Sequence, residues 1–220
     1  MDLLKSDKLE RERLIVKALP NIGKPATRAL NNVGLTHLEA LSQVSAQSVA
    51  KLHGVGPKAI IRLEEALKVE GLAFGPDQEL AFETDFLAIG DLNCDNAPKR
   101  RGIRDFLLAA WMQDVTLTSN YLSSKAQFAE ATQAQPLMGI EKILTAYQTA
   151  TPISSIIIHQ LLSHGKEGAA HASLTLQSGH QIHFAEFYQF EGHRKEAKLL
   201  KITRYLHSSS ESSILLLNRI

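Results

Sequence analysis

Apolar positions recur at helical spacing in short stretches over the first third of the chain and alternate with polar ones over the last third. Between Leu9 and Leu72, glycine and proline punctuate these stretches. The pattern predicts a first helix closing on Leu14, Lys17, Ala18 and Leu19 before Pro20, then helices over 25–31, 38–41, 45–52 and 57–69. Ser45 suits an N-cap and Gly71 a helix stop. Residues 74–95 mix Gly75, Pro76 and several acids and read as a linker with one short helix near 80–87. Asn96 then stands where it would cap a long helix with Pro98 in its first turn. Ile103, Phe106, Leu107, Ala110 and Trp111 give that helix a core-facing stripe, and Lys99, Arg100, Arg101 and Arg104 are expected on its solvated side. A second helix is predicted near 140–147. After Pro152 the alternation predicts strands over 153–162, 169–177, 181–190 and 199–207, joined by glycine-containing turns. Helices followed by an antiparallel meander indicate an α+β domain, and residues 209–220 read as a tail.

A length of 220 residues accommodates two domains. The formal net charge of +1 excludes a molecule-wide polycation, so any nucleic-acid binding has to come from local geometry. The single cysteine, Cys94, has no intramolecular disulfide partner and fits a reducing compartment. The N-terminal stretch is charged throughout, unlike a signal peptide, and no apolar run reaches the roughly 18 residues of a membrane helix. A cytoplasmic location and no membrane partner are the expectation. Seven of the nine histidines fall between His159 and His207, but their spacing matches no ligand motif. They are expected on the sheet surface, with no metal and no cofactor.

Two hairpins carry the first chemical argument. Leu52-His53-Gly54-Val55-Gly56-Pro57-Lys58-Ala59 opens directly into a helix, and Pro20-Asn21-Ile22-Gly23-Lys24-Pro25-Ala26 precedes it by about one repeat. Glycines let successive amides point outward at the start of a helix, where the dipole is positive. Such a cradle suits a phosphate. Gly23, Lys24, Gly54, Val55, Gly56 and Lys58 are therefore the candidate contacts to DNA backbone, with no means of reading bases. The region resembles the tandem helix-hairpin-helix family, particularly the C-terminal domain of the RNA polymerase α subunit, through AKLHGVGPKAIIRLEEALKVEGLAFG and NNVGLTHLEALSQVS. The first hairpin departs from that pattern, having Lys24-Pro25 where a second glycine is common. Packing units or protein-docking surfaces are the alternative use of such turns.

The C-terminal part resembles the nuclear transport factor 2-like fold, the group of SnoaL-type cyclases and ketosteroid isomerases. The resemblance rests on 97–114 with its Asp-Val ending, on PLMGIEKI, and on FAEFYQF followed by KLLKITRYL. It implies a cone-shaped α+β barrel, a curved antiparallel sheet with helices enclosing an apolar pocket. The domains are then 1–76 helix-hairpin-helix, 77–94 linker, 95–208 nuclear transport factor 2-like, and the tail. Alternation puts Phe184, Glu186, Tyr188 and Phe190 on one strand face and His183, Ala185 and Phe187 on the other. With the first set inward, the pocket is expected to comprise Phe106, Trp111, Phe128, Glu130, Glu186, Tyr188 and Phe190, with few polar groups beyond the two glutamates. Glu186 among aromatics would have a raised pKa and could donate a proton. Relative to ketosteroid isomerases, Glu130 falls at the catalytic base and Glu186 at the hydrogen-bonding acid, making them the catalytic candidates. Phe106 stands where their oxyanion-binding tyrosine lies, and a phenyl ring donates no hydrogen bond. The outer strand face would form a homodimer interface. Three functions remain open: a DNA-binding protein with a dimerising or ligand-holding C-terminal domain, an enzyme on a small apolar substrate, and an adaptor docking on transcription machinery.

Overall fold

Glycine and proline set the helix boundaries in the first of the two units into which the chain divides after Asp77. The computed structural model describes residues 16–77, 80–94, 96–131 and 133–208. The first unit contains α1 (Lys24–Asn32), α2 (Leu38–Leu41), α3 (Ala46–Ala50) and α4 (Pro57–Val69). Ser45 caps α3, its Oγ accepting the Ser48 amide at 3.2 Å. On α4, Ala59, Leu63 and Leu67 fall at i, i+4 and i+8 and are all buried. They join Leu30, Leu35, Leu41 and Val49 in a small core. The helix stops in a paired loop, the Leu72 amide donating to Leu67 and the Gly71 amide to Lys68.

The expected first helix is corrected over its described part. Residues 16–20 are not helical: Ala18 bridges His37, and the Leu38 amide donates to the Lys17 carbonyl at 2.9 Å. Pairing across the unit satisfies backbone groups that a helix would otherwise use. Leu14 and the tail at 209–220 lie outside the described residues.

In the second unit β1 (Leu87–Gly90) is followed by α5 (Pro98–Trp111), α6 (Val115–Ser119), β2 (Leu122–Glu130), β3 (Leu137–Met138) and α7 (Ile140–Gln148). Then come β4 (Ile153–His164), β5 (Glu167–Leu176), β6 (Gln181–Phe190) and β7 (Leu199–Ser208). The seven strands form one sheet in the order β1-β4-β5-β6-β7-β2-β3. The meander of β4 to β7 is antiparallel, as its turns predict. However, β1 pairs parallel with β4 and β2 parallel with β7, so the sheet is mixed. β1 and β3 end the order, which leaves an open sheet rather than a closed barrel. Register shifts between Ile158 and Gln160 and between Gln189 and Phe190 mark bulges, which bend and twist the strands that carry them.

Three local expectations change. Residues 80–86 are not helical, and the end of the presumed linker is a sheet strand, because Leu87 and Ile89 bury their side chains once β1 pairs with β4. Residue 97, not Asn96, occupies the cap position of α5, and it makes no side-chain cap bond. The basic side of α5 is solvated only in part: Lys99 and Arg104 are buried, Arg100 is half-buried and Arg101 is exposed. Arg104 donates to the Asp105 carboxylate and to the Leu92 carbonyl, which compensates its charge and allows burial.

Candidate functional site

In the first unit the two hairpins meet. Gly23 (φ 88°) immediately precedes α1, and Gly54 (φ 95°) lies in the turn before Gly56 opens α4. A Cβ on Gly54 would stand 3.2 Å from the Pro25 carbonyl oxygen, so only glycine permits both this backbone angle and this approach. Arg62 on α4 ties the hairpins further by donating to the Asn21 carbonyl at 2.8 Å. A cleft of about 980 Å³ opens beside this junction, lined by Gly23, Lys24, Arg28, Asn31, His53 and Gly54 among others. Lys24, Arg28 and Lys58 form no ion pair among the described residues. Val55 is held in the turn by its amide, which donates to the Leu52 carbonyl at 3.0 Å. Each hairpin has a proline in the first turn of its helix, Pro25 and Pro57, which removes one amide from each.

The second unit holds a buried charge network. Cross-strand register lays Leu161, Ala170, Glu186, Arg204 and Glu130 in one row across β4, β5, β6, β7 and β2. All five are buried, with Glu186 and Arg204 at 0% exposure. Arg204 Nε and Nη2 each lie 2.5 Å from Glu186 Oε1, and Nη2 also donates to the Tyr147 hydroxyl at 2.5 Å. The Tyr188 hydroxyl donates to Glu186 Oε2. Four aromatic rings surround the guanidinium, with Phe128 at 4.8 Å and Trp111 at 5.2 Å from its carbon. Burial pulls the Arg204 pKa down, and the facing Glu186 carboxylate more than reverses this. Burial pushes the Tyr147 hydroxyl up, and it does the same at Tyr188, where Glu186 adds to it.

These contacts revise the expected pocket. Phe106, Trp111, Phe128, Glu130, Glu186 and Tyr188 are buried on inward faces, but they pack around a guanidinium rather than around an apolar space with two glutamates. Phe106 stands edge-on to Tyr147 and Tyr188, with ring centroids 5.9 and 6.2 Å away. Glu186 is the anion of an ion pair, so the expectation of an isolated, proton-donating acid is corrected. Phe190 lies apart from the group, beneath the Lys99 ammonium at 4.8 Å. Sequence reasoning missed Arg204 and Tyr147. Period-2 alternation from Ile202 through Arg204 to Leu206 was the available signal for the first. Two buried donors, Arg204 Nη1 and Trp111 Nε1, lack a hydrogen-bond partner among the described residues.

On the opposite sheet face Phe187 and Tyr205 are 55% and 52% exposed and meet edge to face at 5.9 Å. Beside them Ser173 Oγ lies 2.6 Å from both His159 Nε2 and His183 Nδ1, and the His159 and His171 rings lie 4.8 Å apart. Burial, then His171 and His183, hold the His159 pKa below its ordinary 6.5. The native state thus binds fewer protons than the unfolded chain here. This contribution to stability is complete above about pH 6.5 and is lost as pH falls below it. Among the described residues no group of three His, Cys, Asp or Glu side chains is placed to hold a metal, and no helix is long and apolar enough to cross a membrane.

No protein-family model matches the sequence, and no curated protein does either. Solved structures similar to the chain include a nuclear transport factor 2-like protein of unknown function from Burkholderia xenovorans LB400, at 11% identity and a TM-score of 0.46 over 56% of this chain and 95% of that one. A candidate ketosteroid isomerase from Kribbella flavida DSM 17836 has 16% identity and a TM-score of 0.45 over 56% of this chain and 90% of that one. A candidate SnoaL-like polyketide cyclase from Shewanella denitrificans OS-217 has 14% identity and a TM-score of 0.45 over 55% and 98%. These values do not extend an activity to this chain, and the mixed α+β architecture of its second unit rests on its own strand order.

Proposed function

We propose that the chain binds nucleic-acid backbone through its first unit and uses the second to hold a small ligand and to pair with another copy. The observation that carries the first part is the meeting of two glycine-opened helix starts at Gly54 and Pro25, with Lys24, Arg28 and Lys58 unpaired around them. First-turn amides have no acceptor within their own helix, and phosphates supply one. Binding is then insensitive to sequence and weakens with salt. Lys58→Glu should lower affinity for random duplex by about tenfold, uniformly across sequences, and reduce the salt slope by about one. A titration of labelled duplex at several salt concentrations reads both. Unchanged affinity in Lys58→Glu and in Gly54→Val, which the φ of 95° and the Pro25 carbonyl both oppose, would sink this reading.

For the second unit, the two orphaned donors favour a ligand over efficient enolisation. Arg204 Nη1 and Trp111 Nε1 await an acceptor, and a buried donor left unsatisfied costs about 1–3 kcal/mol. The carboxylate expected to act as an acid is committed to Arg204 and Tyr188.

Self-association follows from Phe187 and Tyr205, since exposed apolar sheet surface is characteristic of interfaces. Light scattering of the full chain should give a dimer near neutral pH and a monomer for the Phe187→Glu, Tyr205→Lys double variant. Acidification should weaken the dimer as His159, whose pKa burial holds below its ordinary value, takes up a proton on that face. A wild-type monomer at micromolar concentration would refute the interface.

A further inference from the structure

A second cavity, separate from the Arg204 network, lies at the other end of α5. Its volume is about 270 Å³ and its wall includes Lys99, Arg101, Asp105, Tyr121, Lys195 and Lys198. That is slightly below the 300 Å³ or more of drug-sized pockets, which limits an occupant to a small molecule.

Two features define what the cavity recognises. Lys99 is buried, yet its ammonium is held by the Gly165 and Gly192 carbonyls at 2.5 and 2.6 Å and by no carboxylate. Lys198 also lines the cavity and forms no ion pair among the described residues, whereas Lys195 is paired with Glu196 at 3.5 Å. The start of α5 also faces this space without a side-chain cap, adding the positive end of a 14-residue helix. These groups favour an anion. Asp105 supplies the second feature. It is 4% exposed, and Arg104 Nε and Nη2 both contact the same oxygen, Oδ1, at 2.8 and 2.7 Å. Oδ2 accepts no hydrogen bond among the described residues, although Asp105 lines the cavity. Burial raises the Asp105 pKa against the pull of Arg104.

We propose that this cavity binds a small α-hydroxy or α-amino acid. Its carboxylate would lie between Lys99 and Lys198, and its hydroxyl or ammonium would donate to Asp105 Oδ2. A plain monocarboxylate satisfies the cations but meets Asp105 as a like charge, and a neutral alcohol leaves the cations unanswered. The site requires both groups on one small molecule. It stands independently of nucleic-acid binding and of the interior network.

The test is a titration of the full chain, followed by the backbone amide resonances of Lys99, Asp105 and Tyr121. The probes are lactate, alanine, propionate and methyl lactate, each taken to ~10 mM, well above a millimolar dissociation constant. Lactate or alanine should shift these resonances saturably, at least about tenfold more tightly than propionate, which lacks the donor, or methyl lactate, which lacks the carboxylate. Lys198→Glu, an exposed change, should weaken lactate binding about tenfold. Asp105→Asn should bring lactate to the propionate level. Should that variant fail to fold, the wild-type ratio of lactate to propionate and the Lys198→Glu result decide the matter. No shift with any probe overturns the site, and equal binding of propionate and lactate overturns the role of Asp105.

Discussion

Arg204→Met should destabilise the second unit by about 3–5 kcal/mol, the cost of leaving one partner of a buried pair uncompensated. Glu186 is fully buried, and its ionic partner is this guanidinium, with only the Tyr188 hydroxyl remaining on its other oxygen. Tyr147 would lose its contact to Nη2 as well. Against a typical stability of about 5–15 kcal/mol, the variant should unfold at much lower denaturant concentration. Adding Glu186→Gln should recover a large part of the loss, because the orphaned charge disappears with it. Urea unfolding of the two single variants and the double variant closes the cycle. If Arg204→Met stays within about 1 kcal/mol of wild type, the buried ion pair is not what holds the interior together.

Gly90→Ala should cost about 3 kcal/mol, more than a positive backbone angle alone accounts for. Gly90 ends β1 at φ 100°, and a Cβ there would stand 2.1 Å from the Ile158 carbonyl oxygen. That oxygen already accepts the Asp91 amide at 2.7 Å, so the strand cannot retreat without losing the bond. Asp91 in turn accepts from the Leu161 amide and from Arg100. Gly179, at φ 88° with nothing within 4 Å of its would-be Cβ, is the control. Gly179→Ala should cost only about 1 kcal/mol, the conformational part alone. Equal losses in thermal unfolding of the two variants would show that the close approach at Ile158 carries no energy.

The elements that were legible in the sequence are those whose signals are local. The glycine-opened start of α4, the Ser45 cap and the alternation of β6 depend on neighbours within a few residues. What escaped depends on partners far along the chain. Leu87–Gly90 reads as linker until β4 lies beside it, and Lys99 reads as a surface lysine until carbonyls from Gly165 and Gly192 receive it. Arg204 escaped for a similar reason. A charge amid KLLKITRYL looks solvated unless the acid one strand away, Glu186, is already known to face it. The glycine-opened helix starts were readable because helix starts announce themselves. The interior chemistry was not, because cross-strand register decides it.

The Ser173 bridge between two imidazoles imposes a direction on both. A serine hydroxyl carries one proton, so when it donates to one ring it can only accept from the other. While the hydroxyl donates to one of His159 and His183, that ring presents a lone pair at its bridging nitrogen and the other an N–H. In that arrangement the tautomer of one ring sets that of its neighbour across β5. A proton arriving at the accepting ring forces the hydroxyl to turn away and give up its own donation. Two side chains on separate strands thus behave as one polar chain with two mirror-image states, whose reversal requires all three groups to move together.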